Sequence, residues 1–209
     1  LDFAPMMALP RYGAEMDRSA RERWNERRWD GGFEPFPENP SAWLVEHREL
    51  LAGGGRALDV ACGDGRNALF LARLGFEVDA IDVSDVAIDA LRVAAVDRAL
   101  PIQPRVVDLE HGPLPQDEYD AVVSFNYLQR DLFGQLERAL RPGGLLLFQT
   151  FGRAAIDELG EGFNPAYVLD CNELLRAFPG LHVVHYREGG AECSIAGRGV
   201  AGIVAQRVN

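Results

Sequence analysis

Four carboxylates around a pair of glycines are the residues of this chain whose types and spacing could do chemistry. Asp59 precedes Gly63 by four residues, Asp64 sits between Gly63 and Gly65, and Asp82 and Asp108 close the next two apolar stretches. Two glycines between a buried strand and a helix N-terminus let a ligand come close to backbone N–H groups. Gly63-Asp64-Gly65-Arg66-Asn67-Ala68 satisfies the pattern G-x-G-x-x-G/A, with Asp82 at the distance expected for a ribose ligand. A pyrophosphate on this turn would lie beside Asp59 and Asp64. One like-charge pair at about 4 Å costs on the order of 4 kcal/mol at an effective dielectric of about 20. A ligand carrying positive charge reverses that sign.

S-Adenosylmethionine has a sulfonium, an ammonium, one carboxylate, a ribose diol and no phosphate. Asp59 and Asp64 suit its positive charges, the Gly63 and Gly65 backbone can approach its methionine part, and Asp82 can accept both ribose hydroxyls. Asp108 can accept a hydrogen bond from an adenine amino group. Phe125, Asn126 and Tyr127 follow the next strand, where ring stacking and backbone contacts are expected. In open α/β sheets ligands bind outside the carboxyl ends of the strands, and all of these residues fall at such ends. Two other readings stay open: a binding protein without turnover, and an NAD-dependent oxidoreductase. The second is opposed by the acidic turn and has no evident Lys, Tyr-Lys or His catalytic set.

These residues need a scaffold of alternating strands and helices. Arg56 to Ala61 reads as a strand, Cys62 to Gly65 as a turn in which Asp64 is exposed, and Arg66 to Leu74 as a helix. Phe76 to Asp82 is a strand, and Ser84 to Ala99 a helix capped by Ser84 or Asp85. Ile102 to Val107, Tyr119 to Phe125 and Leu145 to Phe151 are strands, with a helix from Leu132 to Leu140 stopped by Pro142-Gly143-Gly144. After a short helix from Asn172 to Phe178, the strand-like runs Leu181 to Arg187 and Val200 to Arg207 form an antiparallel hairpin at one sheet edge. The alternation predicts an α/β fold with a doubly wound, mostly parallel sheet. Ahead of it, Leu1 to Gly13 reads as loose and Ala14 to Trp29 as a charged helix. Phe33 to Pro40 is irregular. A helix after Asn39-Pro40 places Trp43, Leu44, Leu50 and Leu51 on its apolar side.

The chain has 209 residues, 47% hydrophobic and 25% charged, which fits one globular unit with a full core. Its formal charge of −11 repels phosphate backbones and anionic lipid, so neither nucleic acid nor a membrane is an expected partner. No apolar run approaches the roughly 20 residues of a membrane span, and the first residues lack the pattern of a signal peptide. Cys62, Cys171 and Cys193 match no metal spacing or disulfide framework, so buried free thiols and a cytoplasmic location are expected. His47, His111, His182 and His185 show no pairing with a nucleophile or metal pattern.

The ordered set ALDVACGDG, VDAIDVS, VVDLE, YDAVVSF and LRPGGLLLFQTF, from about Arg56 to Phe151, resembles the Rossmann-like (class I) S-adenosylmethionine-dependent methyltransferases. That family usually has Gly where this chain has Ala61. The resemblance implies a seven-stranded sheet of order 3-2-1-4-5-7-6, with strand seven antiparallel. WNERRW, GDGRNALFLA and FNYLQR look like the tellurite-resistance and thiopurine-type small-molecule branch. That likeness implies an N-terminal helical lid over residues 1–55 and a methyltransferase domain over 56–209. The implied cofactor residues are Asp59, Ala61, Cys62, Gly63, Gly65, Asn67, Asp82, Val83, Asp108, Leu109, Phe125 and Asn126. Trp24, Arg28, Trp29, Gln129 and Arg130 fall to the lid and acceptor side. The acceptor is a small molecule and the protein a monomer or homodimer. A thiolate or other soft S, Se or Te nucleophile needs no base; a hydroxyl or amine does, and Tyr127 is then the best candidate.

Overall fold

The structure, a computed structural model, describes residues 19–29, 39–115, 118–153, 165–189, 194–195 and 198–208. Of the stretches expected to be loose or irregular, Leu1 to Gly13 lies outside these residues, as do residues 33–38 of Phe33 to Pro40 and Cys193. Seven strands form one sheet: β1 Gly55–Val60, β2 Phe76–Asp82, β3 Ile102–Val106, β4 Tyr119–Phe125, β5 Leu140–Phe151, β6 Leu181–Glu188 and β7 Arg198–Arg207. Their order is β3-β2-β1-β4-β5-β7-β6. The first five run parallel, and β7 is antiparallel to both β5 and β6, as the hairpin reading expects. A further two-residue strand, Ser194–Ile195, pairs antiparallel with the start of β7.

Helices cover both faces. α2 (Ala42–Glu46), α3 (Arg66–Arg73) and α4 (Asp85–Asp97) pack on the face carrying Ala57, Val78, Ala80, Val123 and Leu147. α5 (Phe133–Ala139) and α6 (Glu173–Ala177) pack with Leu58, Val122, Leu146 and Phe148 on the other. Successive strand residues point to opposite faces, so a strand buried on both sides reads as a continuous apolar run. β1 and β4 show this directly. Because β1 pairs parallel with both β2 and β4, the winding reverses beside it, and a crevice opens at its carboxyl end.

Several boundaries differ from the sequence expectation. The charged helix, α1, runs over Ala20–Trp29, and residues 14–18 of the expected helix lie outside the described residues. Ser19 and Glu22 form a reciprocal cap there: the Ser19 N–H and Oγ–H both donate to Glu22 Oε2 at 2.9 Å, and the Glu22 N–H donates back to Ser19 Oγ at 3.3 Å. The helix after Pro40 breaks at His47 into a 3₁₀ turn, Arg48–Leu51, which leaves Leu50 exposed while Trp43, Leu44 and Leu51 are buried. A 3₁₀ turn, Arg130–Leu132, precedes α5. Pro142-Gly143-Gly144 does not end an element. β5 begins at Leu140, which pairs with Tyr119, and the ladder resumes only at Leu145 opposite Ala121. Gly143 takes φ +81°, and a Cβ on Gly144 would lie 2.7 Å from the Tyr119 carbonyl oxygen, so glycines permit the excursion. Cys62 is buried as expected, but Cys171 is exposed. No described helix is long and apolar enough to cross a membrane.

One buried carboxylate ties four strands together. Asp79 on β2 accepts from the Tyr119 hydroxyl on β4 at 2.8 Å and from Arg56 on β1 at 3.1 Å, and pairs with Arg105 on β3 at 3.0 Å. Tyr119 is fully buried, whereas both arginine heads are partly in water. Asp79→Ala therefore costs mainly the stranded phenol and a weakened ion network. Urea unfolding is expected to show a loss of about 2–3 kcal/mol. A loss below about 0.5 kcal/mol would mean that the network contributes little.

Candidate functional site

The turn after β1 is built from left-handed residues. Ala61, Gly63 and Gly65 have φ of +56°, +54° and +79°. The Cys62 N–H donates to the Ile81 carbonyl at 2.9 Å, and the Gly65 N–H closes the turn onto the Cys62 carbonyl, also at 2.9 Å. Gly65 is the N-cap of α3, and a Cβ there would meet the buried Leu91 Cδ1 at 2.3 Å. Ala61 thus occupies a conformation that L side chains resist, which explains why glycine is usual at this place in the resembling family. Ala61→Gly is expected to raise the urea midpoint by an amount equivalent to about 1 kcal/mol. No change, or a loss, would show that the position carries no strain.

Charge gives the turn its character. Asp59 is 1% exposed, and its Oδ2 has no hydrogen-bond partner among the described residues. Burial pushes its carboxyl up to about 7, and the nearby Asp82 adds to the rise; the Ala68 backbone N–H and Arg66 oppose it. Arg66 is itself lowered by burial, with Asp59 opposing, and it donates to Ser41 Oγ at 3.4 Å. Asp64 is buried, contrary to the expectation that it is exposed in the turn. Asp82 receives the Gly63 N–H on Oδ2 at 2.8 Å and the Ser84 N–H on Oδ1 at 2.9 Å. The carboxylate is thereby fixed at the crevice. Val83 follows it, half-buried. The Cys62 thiol points back to the Gly63 carbonyl at 3.6 Å.

The ends of β3 and β4 close the other side. Asp108 receives the Glu110 N–H at 3.0 Å and lies 3.0 Å from His111 Nδ1, so His111 does have a partner. Desolvation raises the Asp108 carboxyl, but His111, the Glu110 N–H and Arg21 outweigh it and hold the group below its usual range. Leu109 is buried, and its carbonyl accepts from Gln129 Nε2 at 2.7 Å. Phe125 is buried at the end of β4, and the exposed Asn126, at φ +59°, donates its N–H to the Gln149 carbonyl at 2.9 Å.

Four residues expected at the site have side chains engaged within the protein. Tyr127 is poorly suited to be a base: burial and the neighbouring Glu110, Asp82 and Asp108 push its phenol well above the usual range, and its O–H donates to Gln129 Oε1 at 2.5 Å. Gln129 straps the β4 end to the β3 end and has both amide atoms engaged. Arg130 commits four of its five N–H directions: two to Glu173, at 2.7 and 2.9 Å, and two to the Ala166 and Val168 carbonyls, at 2.8 and 2.9 Å. It anchors α6 and the turn before it. Asn67 is buried, and its Oδ1 accepts the Ser41 N–H at 2.8 Å, which pins the lead-in segment to α3.

α1 lies across the ends of β2 and β3. Arg23 pairs with Glu110 at 3.2 Å, and Asn25 bonds to Ser84 and Asp85 at 2.7 and 2.6 Å. Trp24 is half-buried on this helix, while the side chains of Arg28 and Trp29 lie outside the described atoms. Asn25, Arg66 and Asp79 were not singled out from the sequence. Arg66, directly after Gly65, had a positional signal; the other two had none. No group of three or more His, Cys, Asp or Glu that could hold a metal occurs among the described residues.

The sheet order, the antiparallel β7 and the glycine turn at the winding reversal define the class I methyltransferase fold. Residues 57–144 match the methyltransferase domain family. A ubiquinone biosynthesis O-methyltransferase of Xanthomonas oryzae pv. oryzae is 30% identical over 149 residues, 67% of this chain and 62% of the relative. The chain spans between 32 and 62% of the first curated relatives it matches. Among solved structures, TehB from Haemophilus influenzae superposes with a TM-score of 0.66 at 18% identity, covering 90% of this chain and 66% of that one. A protein described for converting a disulfide bond into a thioacetal group during echinomycin biosynthesis gives 0.70 at 21% identity, covering 91 and 92%. At these identities the likeness is one of fold.

Proposed function

We propose that this chain is an S-adenosylmethionine-dependent methyltransferase acting on a small-molecule acceptor. One observation carries the reading: Asp59 presents a fully buried, unpartnered carboxylate oxygen beside the glycine turn. A buried charge needs a partner, and among nucleoside ligands a cation supplies one where a pyrophosphate adds repulsion. Asp59 holds the ammonium end, Ala61 to Gly65 border the methionine part, Asp82 and Val83 face the ribose, and Asp108, Leu109, Phe125 and Asn126 enclose the adenine side. α1, with Trp24, covers this end as a lid. When bound, the cofactor supplies a methyl group already activated on sulfonium. The protein's own contribution is then orientation and exclusion of water.

The acceptor reading favours a soft S, Se or Te nucleophile. A hydroxyl acceptor, as the name of the O-methyltransferase relative implies for that protein, needs a base, and Tyr127 is held protonated. Tyr127 instead orients Gln129. The acidic surface supports an uncharged or cationic small molecule over nucleic acid. We place the protein in the cytoplasm as a monomer or homodimer.

Thermal unfolding tests the cofactor assignment. S-Adenosylhomocysteine at about 100 times its dissociation constant is expected to add about 2.7 kcal/mol, and NAD nothing. Stabilisation by NAD alone would sink the reading. Turnover on thiols but not phenols would support the soft acceptor; cofactor binding with no turnover on either would favour a binding protein.

A further inference from the structure

We infer that Asn25 is a positioning residue for the ribose site, a latch that holds α1 over the loop carrying Asp82. The inference rests on the cofactor reading above and adds to it a residue and a kinetic role. The Asn25 amide uses both ends on adjacent residues: its Oδ1 accepts the Ser84 hydroxyl at 2.7 Å, and its Nδ2 donates to Asp85 Oδ1 at 2.6 Å. Ser84 is 1% exposed, and its other bonds run inward. Its N–H donates to Asp82 Oδ1 at 2.9 Å, and its Oγ accepts the Ala87 N–H at 3.2 Å, capping α4. Asp82 in turn takes the Gly63 N–H at 2.8 Å. One chain of hydrogen bonds therefore runs from α1 through Ser84 to the ribose carboxylate and on to the glycine turn.

Another tie of α1 is on the neighbouring strand end, where Arg23 meets Glu110 at 3.2 Å, two residues after Asp108. α1 thus bridges the two loops assigned to ribose and adenine. Arg23–Glu110 is an ion pair with Glu110 exposed and Arg23 partly covered, and salt screens it. Asn25 makes the directional, part-buried contact. An amide is the neutral group that offers an acceptor to Ser84 and a donor to Asp85 at once. Aspartate here would set a carboxylate against Asp85, and alanine would take the acceptor from the Ser84 hydroxyl and leave Asp85 Oδ1 with the Val86 N–H at 2.9 Å.

The latch acts on release. N25A is expected to raise the dissociation rate of S-adenosylhomocysteine about tenfold in stopped-flow displacement, with faster amide hydrogen exchange in α1 and only a small fall in the melting temperature without ligand. N25D is expected to do at least as much. The double variant N25D/D85N restores an acceptor at 25 and a donor at 85, and is expected to recover most of the wild-type rate; D85N alone keeps an amide oxygen that accepts from Asn25 Nδ2 and is expected to stay near that rate. A wild-type dissociation rate in N25A, with tight binding to the parent protein, overturns the latch and leaves the cofactor reading standing. Unchanged α1 exchange in N25A, or failure of the double variant to recover, also overturns it. No binding of S-adenosylhomocysteine to the parent protein overturns both.

Discussion

Asp82→Ala is expected to weaken S-adenosylhomocysteine binding by about three orders of magnitude, on the order of 4 kcal/mol. Hydrogen bonds to a charged acceptor contribute roughly 1.5–3 kcal/mol each, and a ribose diol offers two. The free protein already aims this carboxylate, through the Gly63 and Ser84 N–H groups at 2.8 and 2.9 Å, so little ordering opposes binding. Its removal also releases the turn that borders the methionine part. Asp82→Asn retains an acceptor oxygen without the charge and should fall between, near tenfold to thirtyfold. Isothermal titration measures both variants, and an unchanged dissociation constant in Asp82→Ala would show that the ribose does not sit there.

The second large effect belongs to Asp59 and depends on pH. Its carboxyl stands at about 7 in the fold, with burial as the main cause, against 3.8 as the ordinary value. Between these values the folded state binds more protons than the unfolded one, so stability falls as pH rises, by up to about 1.4 kcal/mol per unit. The whole difference, on the order of 4 kcal/mol, is present above pH 7 and absent below about pH 4. Asp59→Asn removes the charge and is expected to stabilise the free protein by several kcal/mol at pH 8, with little gain at pH 4. Binding has the opposite sign. An ammonium group requires the carboxylate ionised, so affinity should drop about tenfold per unit below pH 7, with protons released on binding near pH 6. Asp59→Asn should flatten that slope and lower affinity at pH 8 about a hundredfold. Urea midpoints and titrations in two buffers check these outcomes together; an unaltered pH slope of binding in the variant would sink the role given to Asp59. A residue that destabilises its own fold and strengthens binding is the trade expected of a functional site.

Much of the scaffold was legible because it rests on local periodicity. Phe76–Asp82 and Tyr119–Phe125 emerged with the boundaries read from the chain, and Ser84 caps α4 as its position suggested. Where the outcome hung on contacts between distant residues, local pattern failed. Pro142-Gly143-Gly144 has the composition of a stop, yet Leu140 already pairs with Tyr119, so the stretch forms an excursion between two paired parts of β5. Leu50 has the apolar character of a core residue, yet the break at His47 turns it outward.

The site divides along the same line. The sequence by itself carried the cation reading, because Asp59, Asp64 and Asp82 keep their chain distance from Gly63 and Gly65, whereas burial in the fold sets how readily Asp59 ionises. The proposed ligand class follows from that reading. Only the tertiary structure decided what each polar side chain is free to do. Arg130, Gln129 and Asn67 carry the right groups for ligand contact, but partners 20 to 43 positions away occupy them. Asn25, unremarkable in a charged helix, meets Ser84 and Asp85 across about 60 positions. Tyr127 lost its suitability as a base to burial and to the field of three carboxylates. Charge is a property of the residue, whereas hydrogen-bond occupancy and desolvation are properties of the packed neighbourhood. The glycine turn could therefore be read for the ligand it attracts, and its surroundings could not be read for the groups that hold it.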